Sequence, residues 1–503
     1  MKSLIRSSLL LLFAGTILFG MVFFAAGENL NSSGSEDRLA GLDEFITKTL
    51  DEYEVPGAVV GIVENDSVVY LKGFGVRELG KPGKVDPDTR FQIASVSKYF
   101  TAGDIGSLVD EKKLDWDTPI VKYLPGFALK DAYAGNHTTL RDLLAHRSGL
   151  KKYDGELLSK IGYNNSEILH RVRFLEPGCS FREQYQYSNV GYYIAGEVAA
   201  EVDNRSWENL TEYRILQPLG MKRSGTGLDT LFLDDNHAAA HSGINEPVHI
   251  IESERSSLPA AGAVVSTGRD MTQWLRMLLG DGTVDGREIL KPETVKTIHS
   301  ANTPLGSGGV LQDPNAAAGL GCDTNNFLGE RVIEKNGALN GVRSLVTIIP
   351  SKKSGIVIIA NKQLTAFPEA IQAEFLERYI EKSGIDLQER MKIVQDMIYS
   401  ITKSPDRPKN PEPATMSPAK VAGKYTSDLY GDMLVSKGTD TGNMTVQLGP
   451  GKYPGFLSHW TNNTWHLSWS NPDEQSGFIN FTASPSGFIT GITSDDFGPF
   501  SRV

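Results

Sequence analysis

The segment at residues 91–101 reads FQIASVSKYFT and contains a serine and a lysine at a spacing that suggests catalysis. Ser95 stands three residues before Lys98, where a stretch begins whose apolar side chains recur at helical spacing through Phe100 and Ile105. Residues i and i+3 share one face of a helix, so the spacing predicts a hydrogen bond between the Lys98 amine and the Ser95 hydroxyl. A serine needs such a neighbour to take its proton, and the free N–H groups of a first helical turn favour a developing oxyanion.

The same spacing occurs a second time, at Ser417 and Lys420. A tetrad of this kind arises by chance in a chain of this length, so by itself it is a weak signal. The second copy lies in a proline-rich stretch where no helix is predicted. We therefore interpret it as a coincidence.

Tyr187 and Asn189 precede a segment with helical periodicity. A tyrosine becomes a usable base only beside cations that lower its pKa, and Lys98 together with a second lysine could do so. The amide of Asn189 can both donate and accept, so it can orient the lysine while holding a substrate amide.

Two lysines are candidates for the second cation, Lys335 and Lys353. Lys335 follows a strand pattern and is followed by Asn336 and Gly337, whereas Lys353 lies in what should be a tight hairpin turn. A strand edge can direct a lysine into a cleft and supply a backbone N–H, while a hairpin tip usually faces solvent. Lys335 is therefore favoured.

Strand patterns occur early and late in the chain, at residues 58–63, 67–74, 331–335, 342–349 and 356–360. Helical periodicity is found at residues 38–53, through much of residues 97–300 and near residues 368–381. The predicted fold class is α/β, with an antiparallel sheet that early and late strands complete together, helices on both faces and a helical insert. A site between sheet and insert is expected.

The last part of the chain differs in kind. Residues 404–417 carry four prolines and no regular period, and residues 420–503 are rich in Gly, Thr, Ser, Trp and Phe in short alternating runs. A linker followed by a small antiparallel barrel is predicted. Trp460, Trp465 and Trp469 are expected to fill the interior of that barrel.

The N-terminus resembles an export signal, because Lys2 and Arg6 precede an uncharged apolar run. The run is close to the ~30 Å needed to span a bilayer, so a cleaved signal peptide and an uncleaved membrane anchor both stay open. The chain also contains nine Asn-x-Ser/Thr sequons, which favour a glycosylated, extracytoplasmic protein.

Composition excludes several classes of protein. The net charge of -11 has the wrong sign for binding nucleic acid. Two cysteines, Cys179 and Cys322, exclude a disulfide scaffold and a multi-cysteine metal site, and the sequence leaves open whether they pair. His237 and His241 have the spacing of a metal pair but lack the glutamate of a metalloprotease and a third ligand, so no metal is predicted.

Several further motifs occur in a consistent order: LRDLLAHRSGL at 140–150, EPG at 176–178, QPLGM at 217–221, PAAG at 259–262 and STGRDM at 266–271. Together with the motifs around Ser95 and Tyr187, they resemble the serine beta-lactamase superfamily. The similarity is to the branch of class C beta-lactamases, DD-peptidases, D-aminopeptidases and related esterases, and it runs from residue 38 to 382. Residues 425–432, 457–460 and 500–502 are similar to the lipocalin-like domain that follows this unit in some relatives.

The resemblance implies a role for each matched residue. Ser95 would be the acylated nucleophile, Lys98 a proton acceptor or phenolate stabiliser, and Tyr187 the general base. Asn189, Lys335 and Gly337 would contact the substrate, and the N–H groups of Ser95 and Ala338 would form the oxyanion hole.

Three residues complicate this comparison. The ammonium of Lys335 suits a substrate that carries a carboxylate. Lactam-processing relatives usually carry Thr or Ser at the position of Asn336, and the loss of that hydroxyl weakens this expectation. Arg343 could anchor such a carboxylate but is more simply a solvated strand arginine. His146, four residues after Asp142, could suggest a Ser-His-Asp triad, yet it lies in a structural motif of the resembled family.

The predicted organisation is a signal peptide or anchor at residues 1–27, a beta-lactamase-like hydrolase domain at 38–385, a helical and proline-rich linker at 386–418 and a lipocalin-like barrel at 419–503. The predicted activity is cofactor-free hydrolysis of an amide, peptide or ester bond in a small-molecule or peptide substrate. The alternatives are a true beta-lactamase and an inactive surface binding protein on the same scaffold. Membrane anchoring through residues 7–26 and a homo-oligomer through the C-terminal domain also stay open.

Overall fold

The computed structural model describes residues 38–243, 247–306, 311, 313–381, 384, 386–402, 407–438, 444–470, 476–494 and 497–503. The predicted signal peptide or anchor at residues 1–27 lies outside this part of the chain. Within it, no helix combines the length and the apolar character that crossing a bilayer requires.

The helices are α1 (Leu42–Glu52), α2 (Ser97–Asp110), α3 (Ala132–His137), α4 (Leu140–Leu144), α5 (Leu157–Lys160), α6 (Asn165–Arg171), α7 (Asn189–Asp203), α8 (Trp207–Thr211), α9 (Leu228–Leu231), α10 (Pro259–Gly262), α11 (Gly268–Leu279), α12 (Pro292–His299), α13 (Phe367–Tyr379), α14 (Leu387–Thr402) and α15 (Pro418–Val421). Short 3-10 turns cover Ala94–Val96, Ile120–Lys122, Val172–Phe174 and Pro350–Lys352, and a π-helical turn covers Glu212–Leu216.

The strands of the first part of the chain are β1 (Gly57–Glu64), β2 (Ser67–Gly75), β3 (Phe91–Gln92), β4 (Gly225–Thr226), β5 (Ala240–Ser242), β6 (His249–Ile251), β7 (Val264–Ser266), β8 (Thr283–Val284), β9 (Arg287–Glu288), β10 (Thr303–Pro304), β11 (Ala317–Ala318), β12 (Asp323–Phe327), β13 (Glu330–Leu339), β14 (Val342–Ile349) and β15 (Ser354–Ala360). The later strands are β16 (Gly423–Ser427), β17 (Gly431–Lys437), β18 (Met444–Leu448), β19 (Tyr453–Thr461), β20 (Thr464–Trp469), β21 (Gly477–Ala483), β22 (Ile489–Thr493) and β23 (Phe500–Arg502).

Early and late strands form one eight-stranded sheet in the order β10-β11-β12-β13-β14-β15-β1-β2, and each neighbouring pair is antiparallel. The hairpin β1–β2 joins the late strands through β15, where Ala58 pairs with Ala360. Strands β14 and β15 are buried along their whole length, which explains why Val and Ile are frequent in them. The predicted α/β fold with a sheet completed by distant segments is confirmed.

Helices cover both faces of this sheet, as the sequence predicted. One face packs Ile358 of β15 against α1 and α13, with Ile46 and Ile371 in the same core. The other face packs Val59 and Val357 against α11 and the helical insert. Successive residues of a strand point to opposite faces, so each central strand supplies both cores.

The helical insert is organised around α2, in which every residue from Ser97 to Leu108 is buried. Strand β13 passes along the 3-10 turn Ala94–Val96 that leads into this helix. The cleft between the sheet and the insert therefore has the Ala94–Val96 turn on one side and β13 on the other.

The chain ends in a closed antiparallel barrel of β16 to β23, in which Tyr425 of β16 pairs with Arg502 of β23. Trp465 and Trp469 are buried inside it, as predicted. The prediction for Trp460 is wrong, because this side chain is half-buried on the outside, against the rings of His466 and Phe478. His459 pairs with Trp465, and adjacent residues of a strand point to opposite faces.

The second Ser-x-x-Lys copy requires a correction. A helix does begin there, since Ser417 is the N-cap of the single turn α15. Both Ser417 and Lys420 are nevertheless exposed, so no enclosed pair forms.

The barrel packs against the helical insert through hydrogen bonds that involve the backbone of the barrel. Gly451 N donates to Ile161 O at 2.8 Å, and the hydroxyl of Tyr163 donates to Tyr430 O at 3.3 Å. Arg171 donates to the carbonyl oxygens of Asp428 and Leu429 at 2.5 and 2.9 Å. The segment at residues 161–171 is thus in contact with the helical insert and the barrel together.

Candidate active site

Ser95 occupies the 3-10 turn Ala94–Val96, immediately before α2. The preceding residue, Ala94, has φ 50°, a left-handed conformation that costs an alanine about 1–3 kcal/mol. Ser95 is 7% exposed, whereas Ala94 and Val96 are fully buried. The turn therefore presents the serine at the edge of the cleft.

Three side chains predicted from the sequence meet at this point. Lys98 Nζ lies 3.0 Å from Ser95 Oγ, and the hydroxyl of Tyr187 lies 2.9 Å from the same oxygen. Lys98 Nζ also donates to Ala261 O at 2.7 Å, so the PAAG motif fixes the amine from the other side. Ser95 is within hydrogen-bond distance of two groups that can exchange a proton with it.

Tyr187 is held at the N-terminus of α7 by its neighbours. Ser188 is the N-cap of this helix and accepts a hydrogen bond from Gly191 N. The side chain of Asn189 is therefore not needed as the cap and can make another contact. The ring of His146 lies 4.5 Å from the Tyr187 ring, and His146 Nδ1 accepts from Ser188 N at 3.0 Å. His146 thus supports the tyrosine through its ring and the adjacent backbone.

Strand β13 closes the opposite side of the cleft. Lys335 is 3% exposed, and its Nζ lies 5.4 Å from the centre of the Tyr187 ring. A Cβ on Gly337 would lie 2.4 Å from Ile93 O and 3.0 Å from Ser95 N, so only glycine lets the strand approach the turn so closely. Ala338 follows on the same strand. Asn336 Oδ1 is buried with no hydrogen-bond partner in the described part of the chain.

Burial dominates the electrostatics of the site. Desolvation, followed by the positive charge of Lys335, lowers the pKa of Lys98 well below its ordinary value. Desolvation raises the pKa of Tyr187 above its ordinary value, although the hydrogen bond with Ser95 acts in the other direction. The sequence predicted that cations would lower the pKa of this tyrosine. The opposite direction is found, because burial of the phenol dominates and the negative charges of Glu156 and Asp323 add to it.

Sequence reasoning missed Glu156. Its carboxylate Oε1 accepts from Asn189 Nδ2 at 2.6 Å, and Asn189 Oδ1 is buried without a partner among the described residues. Burial raises the pKa of Glu156 to about 7, while the hydrogen bond from Asn189 lowers it. The only local signal was the Asp154-Gly155 turn before Glu156, and no pattern connects it to a residue 33 positions away.

The remaining candidates lie apart from this cluster. Asp142 accepts from Arg147 and Arg182, and these two hydrogen bonds hold its pKa below the usual value against burial. His241 uses Nδ1 with Asn361 O and Nε2 with Leu79 N, so both of its ring nitrogens contact backbone. Both of these side chains have a structural partner.

Two basic residues of the sheet region also have defined places. Lys353 ends the exposed turn Pro350–Lys352, away from the buried Lys335. Arg343 is 4% exposed and paired with Glu369. Both sequence interpretations of Arg343 are therefore wrong, because it is neither solvated nor free to hold a ligand.

Comparisons with known proteins concern the same part of the chain. A sequence model of the family described as Beta-lactamase matches residues 42–379. The chain is similar to the unguisins hydrolase ungD' of Aspergillus campestris (strain IBT 28561), with 25% identity over 424 residues that cover 77% of this chain and 75% of that protein.

Two solved structures share the fold. The octameric penicillin-binding protein homologue from Pyrococcus abyssi has a TM-score of 0.60 at 22% identity and covers 92% of this chain and 100% of its own. A D-stereospecific amidohydrolase from a Streptomyces species has a TM-score of 0.54 at 22% identity and covers 67% of this chain and 98% of its own.

Proposed function

The chain belongs to the beta-lactamase family of hydrolases, whose sequence model spans more than half of its length, and from that premise we propose that it is a serine hydrolase. It would cleave an amide, peptide or ester bond through a covalent acyl-Ser95 intermediate. The observation that carries the proposal is the position of Ser95 Oγ, 3.0 Å from Lys98 Nζ and 2.9 Å from the hydroxyl of Tyr187.

Acylation begins when Ser95 Oγ attacks the carbonyl carbon and its proton passes to a base. Burial favours the neutral amine of Lys98 and the neutral phenol of Tyr187, so the unshared pair of Lys98 is the better acceptor. Tyr187 is then placed to relay the proton to the leaving amine or alcohol. In deacylation, water attacks the acyl carbonyl carbon and its proton passes to Lys98. Ser95 Oγ recovers a proton as its bond to the acyl group breaks.

The tetrahedral intermediate carries a negative oxygen that needs fixed donors. The backbone N–H groups of Ser95 and Ala338 are proposed as those donors, because the approach of Gly337 to Ser95 N brings the two backbones side by side. Lys335 adds positive charge on the same side of the cleft.

The substrate class follows from the site and the relatives. Names of similar proteins include a hydrolase of unguisins and a D-stereospecific amidohydrolase, which favours amide substrates. Asn336 stands where a hydroxyl residue serves lactam-processing relatives, so peptidase or esterase action is favoured over true beta-lactam resistance.

Labelling with an alkyl fluorophosphonate, followed by peptide mapping, tests the nucleophile. We expect a single modified serine, Ser95, and no labelling of Ser95→Ala. That variant should lose turnover with an almost unchanged melting temperature, because one hydroxyl at a cleft contributes little to stability.

Ser417→Ala is the matched control, since Ser417 has the same spacing to a lysine but is exposed. It should be labelled and active like the unmodified protein. Failure to label Ser95 in folded protein would favour an inactive binding protein instead. If Ser95 is labelled, a comparison of p-nitrophenyl esters, D-amino-acid amides and nitrocefin as substrates would separate esterase, peptidase and lactamase activity.

We further propose that the protein is exported and glycosylated, through a cleaved signal or an anchor at residues 1–27. The described part of the chain contains seven of the nine sequon asparagines, and all seven are exposed, as an acceptor must be: Asn65, Asn136, Asn164, Asn204, Asn209, Asn462 and Asn480.

The lipocalin-like identity of the barrel, and domain boundaries at residues 385 and 418, are likewise proposals. We also propose a homo-oligomer through the barrel; the description of the Pyrococcus abyssi homologue as octameric supports assembly and does not concern the interface.

A further inference from the structure

The strongest unexplained feature of the site is the pair formed by Glu156 and Asn189. The amide nitrogen of Asn189 donates to Glu156 Oε1 at 2.6 Å. The oxygen of the same amide is buried, with no hydrogen-bond partner in the described chain. A buried acceptor left without a donor is costly, and at the edge of a candidate active site a donor on the substrate is the explanation that we pursue.

Glu156 decides which end of the Asn189 amide is left without a partner. An ionised carboxylate can only accept hydrogen bonds, so the NH₂ end of Asn189 must face it and the oxygen must face away. The sequence predicted an amide that both donates and accepts at the site, but its donor is already used by Glu156. Asn189 is left with an acceptor.

The backbone holds Glu156 in this position. Tyr153 N donates to Tyr187 O at 3.2 Å, and a Cβ on Gly155 would lie 3.1 Å from a methyl of Val190. The turn before Glu156 is thus packed on the same N-terminus of α7 that carries Asn189.

Several charged or titratable groups surround Glu156. Lys160 and Lys98 lower its pKa and Glu254 raises it, while the negative charge of Glu156 raises the pKa values of Tyr153 and Tyr187. Lys160 Nζ bonds Glu254 Oε1 at 2.7 Å, so that ion pair lies beside Glu156. Glu156 therefore acts on the catalytic cluster by charge as well as through Asn189.

We propose that Glu156 is a positioning residue that makes Asn189 a hydrogen-bond acceptor, so that the enzyme selects acyl groups bearing an N–H donor, above all a free ammonium, next to the scissile carbonyl. This inference rests on the proposed function, because it requires Ser95 to be the nucleophile. It predicts the identity of the substrate group rather than the chemistry of cleavage.

Two boronic acids of nearly equal shape provide the test. Boronic acids form tetrahedral adducts with an active serine, and 1-aminoethylboronic acid differs from isopropylboronic acid only by an ammonium in place of a methyl group. The measurement is the concentration of each that halves the rate of fluorophosphonate labelling at Ser95. We expect the unmodified protein to prefer the ammonium compound by about tenfold or more.

Glu156→Gln should remove most of this preference, because a glutamine can accept or donate and no longer dictates the orientation of the Asn189 amide. The affinity for isopropylboronic acid is the reference in each protein, so any general change in the reactivity of Ser95 cancels in the ratio of the two affinities. Glu254→Gln is the matched control, since it removes a neighbouring carboxylate that does not contact Asn189, and it should keep the preference. A merely structural role for Glu156 would weaken both compounds equally.

A pH series adds a second readout. Because the pKa of Glu156 is about 7, its carboxylate form predominates above pH 7 and is lost as the pH falls through that value. The advantage of the unmodified protein over Glu156→Gln for the ammonium compound should therefore be largest near pH 8 and shrink toward pH 6. The ionisation of the compound cancels, because both proteins bind the same one.

The outcomes are distinguishable. Ser95 labelling without a preference for the ammonium compound, or a preference that survives in Glu156→Gln, would overturn this inference and leave the serine hydrolase intact. Absence of labelling at Ser95 would overturn the proposed function itself.

Discussion

Among single residues, Lys98 suits the proposed role of proton acceptor because of where it is buried. Its side chain is fully inaccessible, and its two polar contacts are the Ser95 hydroxyl and Ala261 O, both of which are neutral. A charged ammonium loses most of its hydration in such a place, so the neutral amine is favoured. A neutral amine is what a proton acceptor needs to be.

The variant Lys98→Met tests whether the amine of Lys98 is the proton acceptor. Methionine has a similar volume but no amine, so we expect the rate of Ser95 labelling to fall about 10²–10⁴-fold. The melting temperature should stay the same or rise, because a buried amine is replaced by an apolar group. Lys353→Met, at an exposed lysine, should change neither quantity. Labelling of Lys98→Met at the unmodified rate would exclude Lys98 as the base.

At the scale of elements, the site depends on strand β13 lying against the 3-10 turn Ala94–Val96. Ser344 on the neighbouring strand donates to Ile93 O at 2.6 Å, which ties the sheet to this turn. Gly337 allows the approach, because a Cβ there would lie 2.4 Å from both Ile93 O and Ser344 Oγ. The spacing between Ser95 and the proposed oxyanion donors is thus fixed by backbone packing.

Gly337→Ala should push strand and turn apart. A displacement of about 1 Å at a reacting centre can cost about a hundredfold in rate, so we expect kcat to fall by roughly that factor. Overpacking should also destabilise the fold by about 1–3 kcal/mol. Steady-state kinetics and urea unfolding measure the two effects. Gly126→Ala, where an added Cβ meets nothing within 4 Å, should leave kcat unchanged, and an active Gly337→Ala would contradict the close packing.

At the scale of the whole molecule, the barrel is packed on the segment that follows Glu156. Arg171 connects the two parts, because its guanidinium lies 3.9 Å from the centre of the Tyr163 ring and donates to two carbonyl oxygens of the β16–β17 turn. Gly431 at the end of this turn has φ 71° and lies against the Tyr163 hydroxyl. The barrel therefore supports the side of the cleft that carries Glu156.

Arg171→Ala should loosen this interface. We expect a loss of about 1–2 kcal/mol in the free energy of unfolding, from two hydrogen bonds and a cation–π contact. Urea unfolding measures it. Arg173→Ala is the comparison, because Arg173 donates to His170 O and Gly126 O within the catalytic part. A free energy of unfolding for Arg171→Ala equal to that of the unmodified protein would mean that the barrel contact contributes little.

The sequence by itself determined what depends on neighbours along the chain. Periodicity located β1, β2, β14, β15 and α13 to within a few residues, and the spacing of Ser95 and Lys98 specified their contact. Such features follow from side chains three or four residues apart on a helix, or two apart on a strand.

Only the tertiary structure decided which distant groups meet. It brought Tyr187 to Ser95 across 92 residues, paired Glu156 with Asn189, buried Arg343 against Glu369 and turned Trp460 outward. A hydrophobic period reports that a face is buried but not which surface covers it. The polar partners and pKa values of the cleft depend on that covering surface, and so they become visible only once the chain is folded.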